Sequence, residues 1–181
     1  MSAPLPDPVP AGDPVTTRSG LRLRVRPATP ADEPALAALF AHVAPEDLRF
    51  RFLSAVHQVA HEQLAAMLRG DHDLTETFLA FDEESGAPVA TAMVAAEETR
   101  GTAEVAISVH SGFKARGIGW ALLAHVLAFA RAHGFARLQS IESRDNRAAI
   151  DLECEMGFTM RPYPEDSTLT LIEFDLTGAA A

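Results

Sequence analysis

The segment "TAEVAISVHSGFKARGIGWALLAHVLAFARAHG", residues 102 to 134, most limits what the chain can fold into. Its first eight residues alternate in strand fashion, with Glu104, Ala106 and Ser108 on one face and Val105, Ile107 and Val109 on the other. From Gly117 or Ile118 to about His133 the apolar residues recur at helical spacing, and Gly134 ends the run. Between the two patterns lie Gly117 and Gly119, one residue apart, beside Lys114 and Arg116. Bare backbone and positive charge at a helix start make a seat for an anion, above all a phosphate. Glycine leaves no Cβ in the way of a close approach. The N–H groups of about Ala115 to Trp120 can donate, and the helix end adds roughly half a positive charge.

The flanking sequence alternates between the same two patterns. "LRLRVRP" (21–27) reads as a half-exposed strand, and "TPADEPALAALFAHV" (29–43) as a helix capped by Thr29 with Pro30, Asp32 and Glu33 in its first turn. A second helix is expected over roughly 58–69, ending at Gly70. "TFLAFDE" and "APVATAMVAAEE" read as strands joined at Ser85-Gly86, and "TRG" (99–101) turns into the strand at 102. After the long helix come a strand, "ARLQSIES", a helix, "NRAAIDLECEM", and two strand-like segments, "TMRPYP" and "STLTLIEFDL". The fold class is therefore α+β with a mixed sheet, not a regular βαβ array.

The length of 181 residues suits one domain with a real core. Residues 1–19, rich in proline and small residues, are expected to be a disordered leader, with a domain over 20–175 and a tail over 176–181. No apolar run reaches the length of a membrane span, and the N-terminus lacks a secretory pattern. The single cysteine, Cys154, excludes an internal disulfide. Together these point to a cytoplasmic protein. A net charge of −10 disfavours nucleic-acid binding and is compatible with a cationic substrate.

Two common phosphate motifs fail at the glycine loop. Gly112 and Gly117 have the spacing of a nucleotide-triphosphate loop, but Ile118 and Gly119 stand where lysine and a hydroxyl are needed. The dinucleotide fingerprint is met by Gly117 and Gly119 but has Leu122 in third place. "VHSGFKARGIG" (109–119), followed by a long helix, a strand and "DNRAAIDLECEMGF", resembles the GCN5-related N-acetyltransferase (GNAT) family over roughly residues 21–174. The resemblance implies a mostly antiparallel sheet of about six to seven strands with about four helices, and acetyl-CoA as co-substrate without a metal. It assigns the coenzyme pyrophosphate to the loop formed by Lys114, Ala115, Arg116, Gly117, Ile118 and Gly119. Lys114 stands where the family usually has glutamine or arginine. It further implies that a backbone N–H near Val109 polarises the thioester carbonyl and that Asn146 contacts the coenzyme. Capping the following helix is an equal reading for Asn146. Trp120 is placed either to cover the coenzyme or to pack.

An attacking amine must lose a proton, since a lysine pKa of about 10.4 leaves little free base at neutral pH. Glu104, on the small-residue face of its strand, is the candidate base, and family members often carry a glutamate on this strand. The proton donor for the departing thiolate is the gap in the pattern. Glu153 stands where many members have tyrosine, and the chain's one tyrosine is Tyr163. Glu153, Cys154 and solvent all remain open as donors.

"VAPEDLRFRFLSAVHQ", the Asp-rich turn near 71–73 and the Ala103-Glu104 pair resemble the acetyltransferase domains of bacterial protein-lysine acetyltransferases. That similarity makes Arg49, Phe50, Arg51 and Phe52 candidates for an acceptor groove. His57 and His61 share a helix face, but Gln58 breaks the zinc motif, and His72 between two aspartates is no stronger. The reading is an N-acetyltransferase acting on a protein lysine or a small amine, without nucleic-acid or membrane partners and compatible with a homodimer. The alternative is a non-catalytic acyl-CoA-binding sensor.

Overall fold

The computed structural model describes residues 11–54, 56, 58–96 and 101–178. Expectations for residues 1–10, His57, Thr99, Arg100 and 179–181 lie outside the described residues. The strands are β1 (Asp13–Thr16), β2 (Arg22–Pro27), β3 (Thr75–Asp82), β4 (Pro88–Ala96), β5 (Thr102–Val109), β6 (Arg137–Ser143), β7 (Thr159–Pro162) and β8 (Leu169–Asp175). The helices are α1 (Glu33–Phe40), α2 (Pro45–Phe52), α3 (His61–Met67), α4 (Ile118–Ala132) and α5 (Arg147–Glu155).

All eight strands join one sheet in the order β1-β2-β3-β4-β5-β6-β8-β7. Every pairing is antiparallel except that of β5 with β6. Alternation along β3 explains the layering. Phe78 and Ala80 enter one core with Leu122, Val126 and Ile150, whereas Leu79 and Phe81 enter a second core with Leu36, Leu39 and Leu64. The sheet is thus covered on both faces, by α4 and α5 on one and by α1 to α3 on the other.

Three details differ from expectation. The strand count is eight because Asp13–Thr16 pairs with β2 within the expected leader. Pro14 is tolerated there because β1 is an edge strand. The helix expected over 29–43 splits into a turn at Pro30–Asp32 and α1. Asp32 accepts from the Thr29 amide at 2.7 Å and from Arg26 at 2.7 Å, and that guanidinium, with Thr29, holds its carboxyl down at about 2. A fifth helix, α2, follows with Pro45 in its first turn, Glu46 and Asp47 at its positive end and Arg49 and Arg51 at its negative end. Leu53 closes it in the left-handed region, with φ of 49°.

Candidate active site

The site arises where two strands part. β5 and β6 pair only at Thr102–Arg137, Ala103–Leu138 and Glu104–Gln139, while β6 stays paired with β8 to Ser143. Beyond Glu104 the two strands diverge and open a cleft of about 360 Å³ between them, lined also by α2, the loop before α4, the first turn of α4 and α5. The amide of His110 donates to the Val89 carbonyl across β4. Backbone groups alternate sides along a strand, so those of Val109 and Ile107 face the cleft instead. An N–H at Val109 is therefore available to a carbonyl lying there.

At one end of the cleft the chain turns through Ser111–Phe113 into α4. Ala115 and Gly117 both adopt positive φ, 59° and 78°. Gly117 is the N-cap of α4 and supplies no side-chain cap, which leaves the amides of the first turn directed at the cleft end. Each of the two glycines also has a reason within the fold. Gly117 is required by its left-handed backbone, with Thr17 and Arg18 packed 3.4 Å from where a Cβ would stand. At Gly119 a Cβ would meet Leu152 of α5 at 3.2 Å, so α4 and α5 use its absence to approach each other.

The structure brings Glu104, Val109, Lys114, Ala115, Gly117, Ile118, Gly119 and Asn146 to the cleft. Lys114 is paired, its Nζ 2.7 Å from Asp47 of α2. Arg116 and Trp120 do not line the cleft: the Arg116 guanidinium sits 5.0 Å over Phe113, and Arg18 lies 3.4 Å over the Trp120 ring. Asn146 does not cap α5 with its side chain; its Nδ2 donates to Glu142 Oε2 at 2.7 Å. Of the proposed groove residues, Phe50 and Arg51 reach the cleft, whereas Arg49 faces Glu46 and Phe52 packs on Phe40.

Three carboxyls also line the cleft. Glu104 is exposed on β5, Glu142 projects from β6, and Glu153 is 6 % exposed on α5. Burial pushes the Glu142 carboxyl up to about 7, against the pull of Asn146 and Arg51, with the Glu104 charge adding to the rise. Burial and then the Glu142 charge push Glu153 up to about 8. The Ser140 hydroxyl tempers that rise without closing a well-formed hydrogen bond: Ser140 Oγ and Glu153 Oε2 are both buried and unpartnered. Arg51 is pulled down by burial, which the charges of Glu104 and Glu142 oppose. Sequence reasoning missed Asp47 and Glu142. Their signals were an acid in the first turn of a proline-started helix, and a polar residue two places beyond Ser140 on the buried face that Leu138 begins.

Among the described residues no three His, Cys, Asp or Glu side chains are grouped to hold a metal ion. His61 contacts Glu33 and His72 contacts Glu76. No helix among the described residues is long and apolar enough to cross a membrane. Tyr163 lies outside the cleft, facing Glu165.

A family model described as acetyltransferase (GNAT) family matches residues 41–158, which span α2 through α5 and include the whole cleft. The chain belongs to the GNAT acetyltransferase family. Acetyltransferase PA5475 of Pseudomonas aeruginosa is 28% identical over 151 residues, covering 82% of this chain and 81% of that protein. The GNAT domain of S. lividans PAT superposes with a TM-score of 0.83 at 25% identity, covering 90% of this chain and 96% of that one. YncA of Salmonella typhimurium, solved with acetyl-CoA, shares the fold at a TM-score of 0.67 and 21% identity, covering 88% of this chain and 96% of that one.

Proposed function

We propose that this chain transfers an acetyl group from acetyl-CoA to a primary amine by direct attack within a ternary complex. The observation that carries the reading is the parting of β5 and β6 into a cleft lined by both the uncapped first turn of α4 and three carboxyl groups. The fit to acetyl-CoA is chemical. The uncapped first turn of α4 and Lys114 suit a pyrophosphate, and the apolar walls of β5 suit an arm threading the gap. The Val109 N–H then holds the thioester carbonyl and stabilises the negative charge that develops on its oxygen. Asn146, at the start of α5, orients the arm from the other wall.

Glu104 takes the proton from the incoming ammonium, directly or through water, a role worth roughly 10² to 10⁴ in rate. Its exposed position at the acidic mouth suits a cationic acceptor, with a protein lysine first and a small amine next. The test is calorimetric titration with acetyl-CoA, coenzyme A and ATP, then thiol release on lysine peptides and small amines. Acetyl-CoA binding with turnover that collapses in Glu104→Gln supports the reading. Binding without turnover on any amine favours an acyl-CoA sensor, and no coenzyme A binding removes both.

A further inference from the structure

The turn between β1 and β2 lies outside the residues the family model matches, yet it is fastened to the loop before α4. The Ser19 hydroxyl donates to the Arg116 carbonyl at 2.8 Å, and Thr17 Cβ and the Arg18 amide nitrogen stand 3.4 Å from where a Cβ on Gly117 would be. The turn itself is closed. The Thr17 amide donates to the Leu21 carbonyl at 2.9 Å, the Leu21 amide donates to Thr17 Oγ1 at 3.2 Å, and Gly20 takes up a φ of 86°. Arg18 therefore leaves a fixed backbone beside the first turn of α4. Its guanidinium lies 3.4 Å over the Trp120 ring, and its Nη1 is 3.3 Å from Glu155 of α5. The ring takes the flat face of the guanidinium, and among the described residues only Nη1 has a side-chain acceptor, so most of the donor edge is free. Both members of the Glu155 pair are exposed, which makes the contact weak and easily exchanged.

Resting on the acetyltransferase reading, we propose that Arg18 binds the ribose 3′-phosphate of the coenzyme from outside the cleft, so that the N-terminal hairpin completes the coenzyme site. Coenzyme A carries a pyrophosphate and, on its ribose, a separate phosphate. The uncapped first turn of α4 and Lys114 suit the pyrophosphate, and the separate phosphate needs a cation beyond them. In a chain of net charge −10, Arg18, Lys114 and Arg116 nevertheless gather around this one helix start. Lys114 lines the cleft and is held by Asp47, and Arg116 lies over Phe113. Arg18 is placed differently. Trp120 is three residues along α4 from Gly117 and outside the cleft lining, so its ring holds the guanidinium about 5 Å along the helix from the pyrophosphate seat. A guanidinium edge donates to phosphate oxygens in bidentate fashion. Binding exchanges the weak Glu155 contact for this pair, while the stack on Trp120 keeps the fork oriented.

The experiment is calorimetric titration of the full chain with acetyl-CoA and with its 3′-dephospho form, in wild type, Arg18→Ala and Glu155→Gln. Both side chains are exposed, so neither substitution threatens the fold. Wild type should bind acetyl-CoA about 10-fold more tightly than the dephospho form, the scale of one charge-assisted contact. Arg18→Ala should lose that preference, holding the two ligands within about 2-fold of each other and the dephospho form as tightly as wild type does. Glu155→Gln removes the competing carboxylate and should tighten acetyl-CoA binding about 3-fold without moving the dephospho form. Equal weakening of both ligands in Arg18→Ala would assign the residue to the pyrophosphate or to bracing the loop. That result, a preference that survives in Arg18→Ala, or a wild type without preference overturns the inference and leaves the acetyltransferase reading intact. A wild-type protein that binds neither ligand overturns both.

Discussion

Asn146 Nδ2 donates to Glu142 Oε2 at 2.7 Å, joining the start of α5 to the free end of β6 across the base of the cleft. The bond stabilises the ionised form of a carboxyl that burial would otherwise keep neutral. Asn146 therefore serves a second purpose besides any contact with coenzyme. Replacing it with alanine raises the pH at which Glu142 ionises above its value of about 7. NMR titration of side-chain carboxyl carbons checks this, and an unmoved Glu142 resonance contradicts it.

Two raised carboxyls make stability depend on pH in a defined direction. Folding lifts Glu142 from 4.5 to about 7 and Glu153 from 4.5 to about 8, so over that window the native state binds protons the unfolded chain has lost. Their protonated contribution is intact below about 4.5 and is lost as pH rises through 7 and then 8. Glu153→Gln removes one of these liabilities. Its stability relative to wild type should improve by about 2 kcal/mol between pH 5 and pH 8, less than the ~1.4 kcal/mol per unit of a fully realised shift. In melting temperature that is about 4 to 8 °C. Denaturant and thermal melts at both pH values check it.

Arg51 faces Glu104 and Glu142 without a carboxylate in ion-pair distance among the described residues; its guanidinium donates to Met93 Sδ at 3.8 Å and lies 5.2 Å over the Phe52 ring. Its charge lowers the proton affinity of Glu142 from a distance. Arg51→Met, which keeps the apolar stem, should raise the pH at which Glu142 ionises, along with the midpoint of any pH profile that follows it. A profile that falls in height without moving along the pH axis would assign Arg51 to packing alone.

Lys114 is held at 2.7 Å by Asp47, and the pair ties the loop to α2. An exposed pair of this kind adds only about 0.2 to 1 kcal/mol to stability. If the lysine serves pyrophosphate, Asp47 competes for it. Asp47→Asn should then tighten acetyl-CoA binding about 3-fold and steepen its salt dependence, while Lys114→Ala weakens it about 10-fold, or ~1.4 kcal/mol. Calorimetry at two salt concentrations separates these outcomes from a purely structural pair, for which both substitutions leave the Kd unchanged.

What could be read from sequence follows from how local each signal is. β5 and α4 were legible because period-2 and period-3.6 patterns sit side by side between Thr102 and His133. No residue pattern marks the cleft, and a parting of these two strands is implied only by the family resemblance, because β6 leaving β5 after Gln139 is a tertiary event without a local mark. Short elements hid in atypical composition: β1 lies in proline-rich sequence, and α2, "PEDLRFRF", buries only Leu48. Glu142 drew no reading from sequence and Glu153 stood out only as the residue where many family members have tyrosine, yet both occupy positions in register with buried Leu138 and Ile150. A carboxylate at a core position was the sign that the core there is a site.

Gly117 and Gly119 serve different physical purposes, so their substitutions should separate stability from binding. Alanine at Gly117 must adopt φ of 78° against Thr17 and Arg18, at about 1–2 kcal/mol for a left-handed residue with a Cβ. Gly117→Ala should therefore lower the melting temperature and weaken acetyl-CoA binding together. Gly119 lies inside the first turn of α4, where alanine gains about 1 kcal/mol of helix propensity. That gain offsets a contact at 3.2 Å with the Leu152 methyl, so Gly119→Ala should be as stable as wild type within about 0.5 kcal/mol. Gly119 and Leu152 both line the cleft, and the added methyl narrows it where α4 meets α5. Binding of acetyl-CoA should weaken about 10-fold, equivalent to ~1.4 kcal/mol. Thermal melts and titration calorimetry on the two variants decide the matter. Unchanged affinity in a stable Gly119→Ala protein would mean that the glycine serves only the packing of α4 on α5.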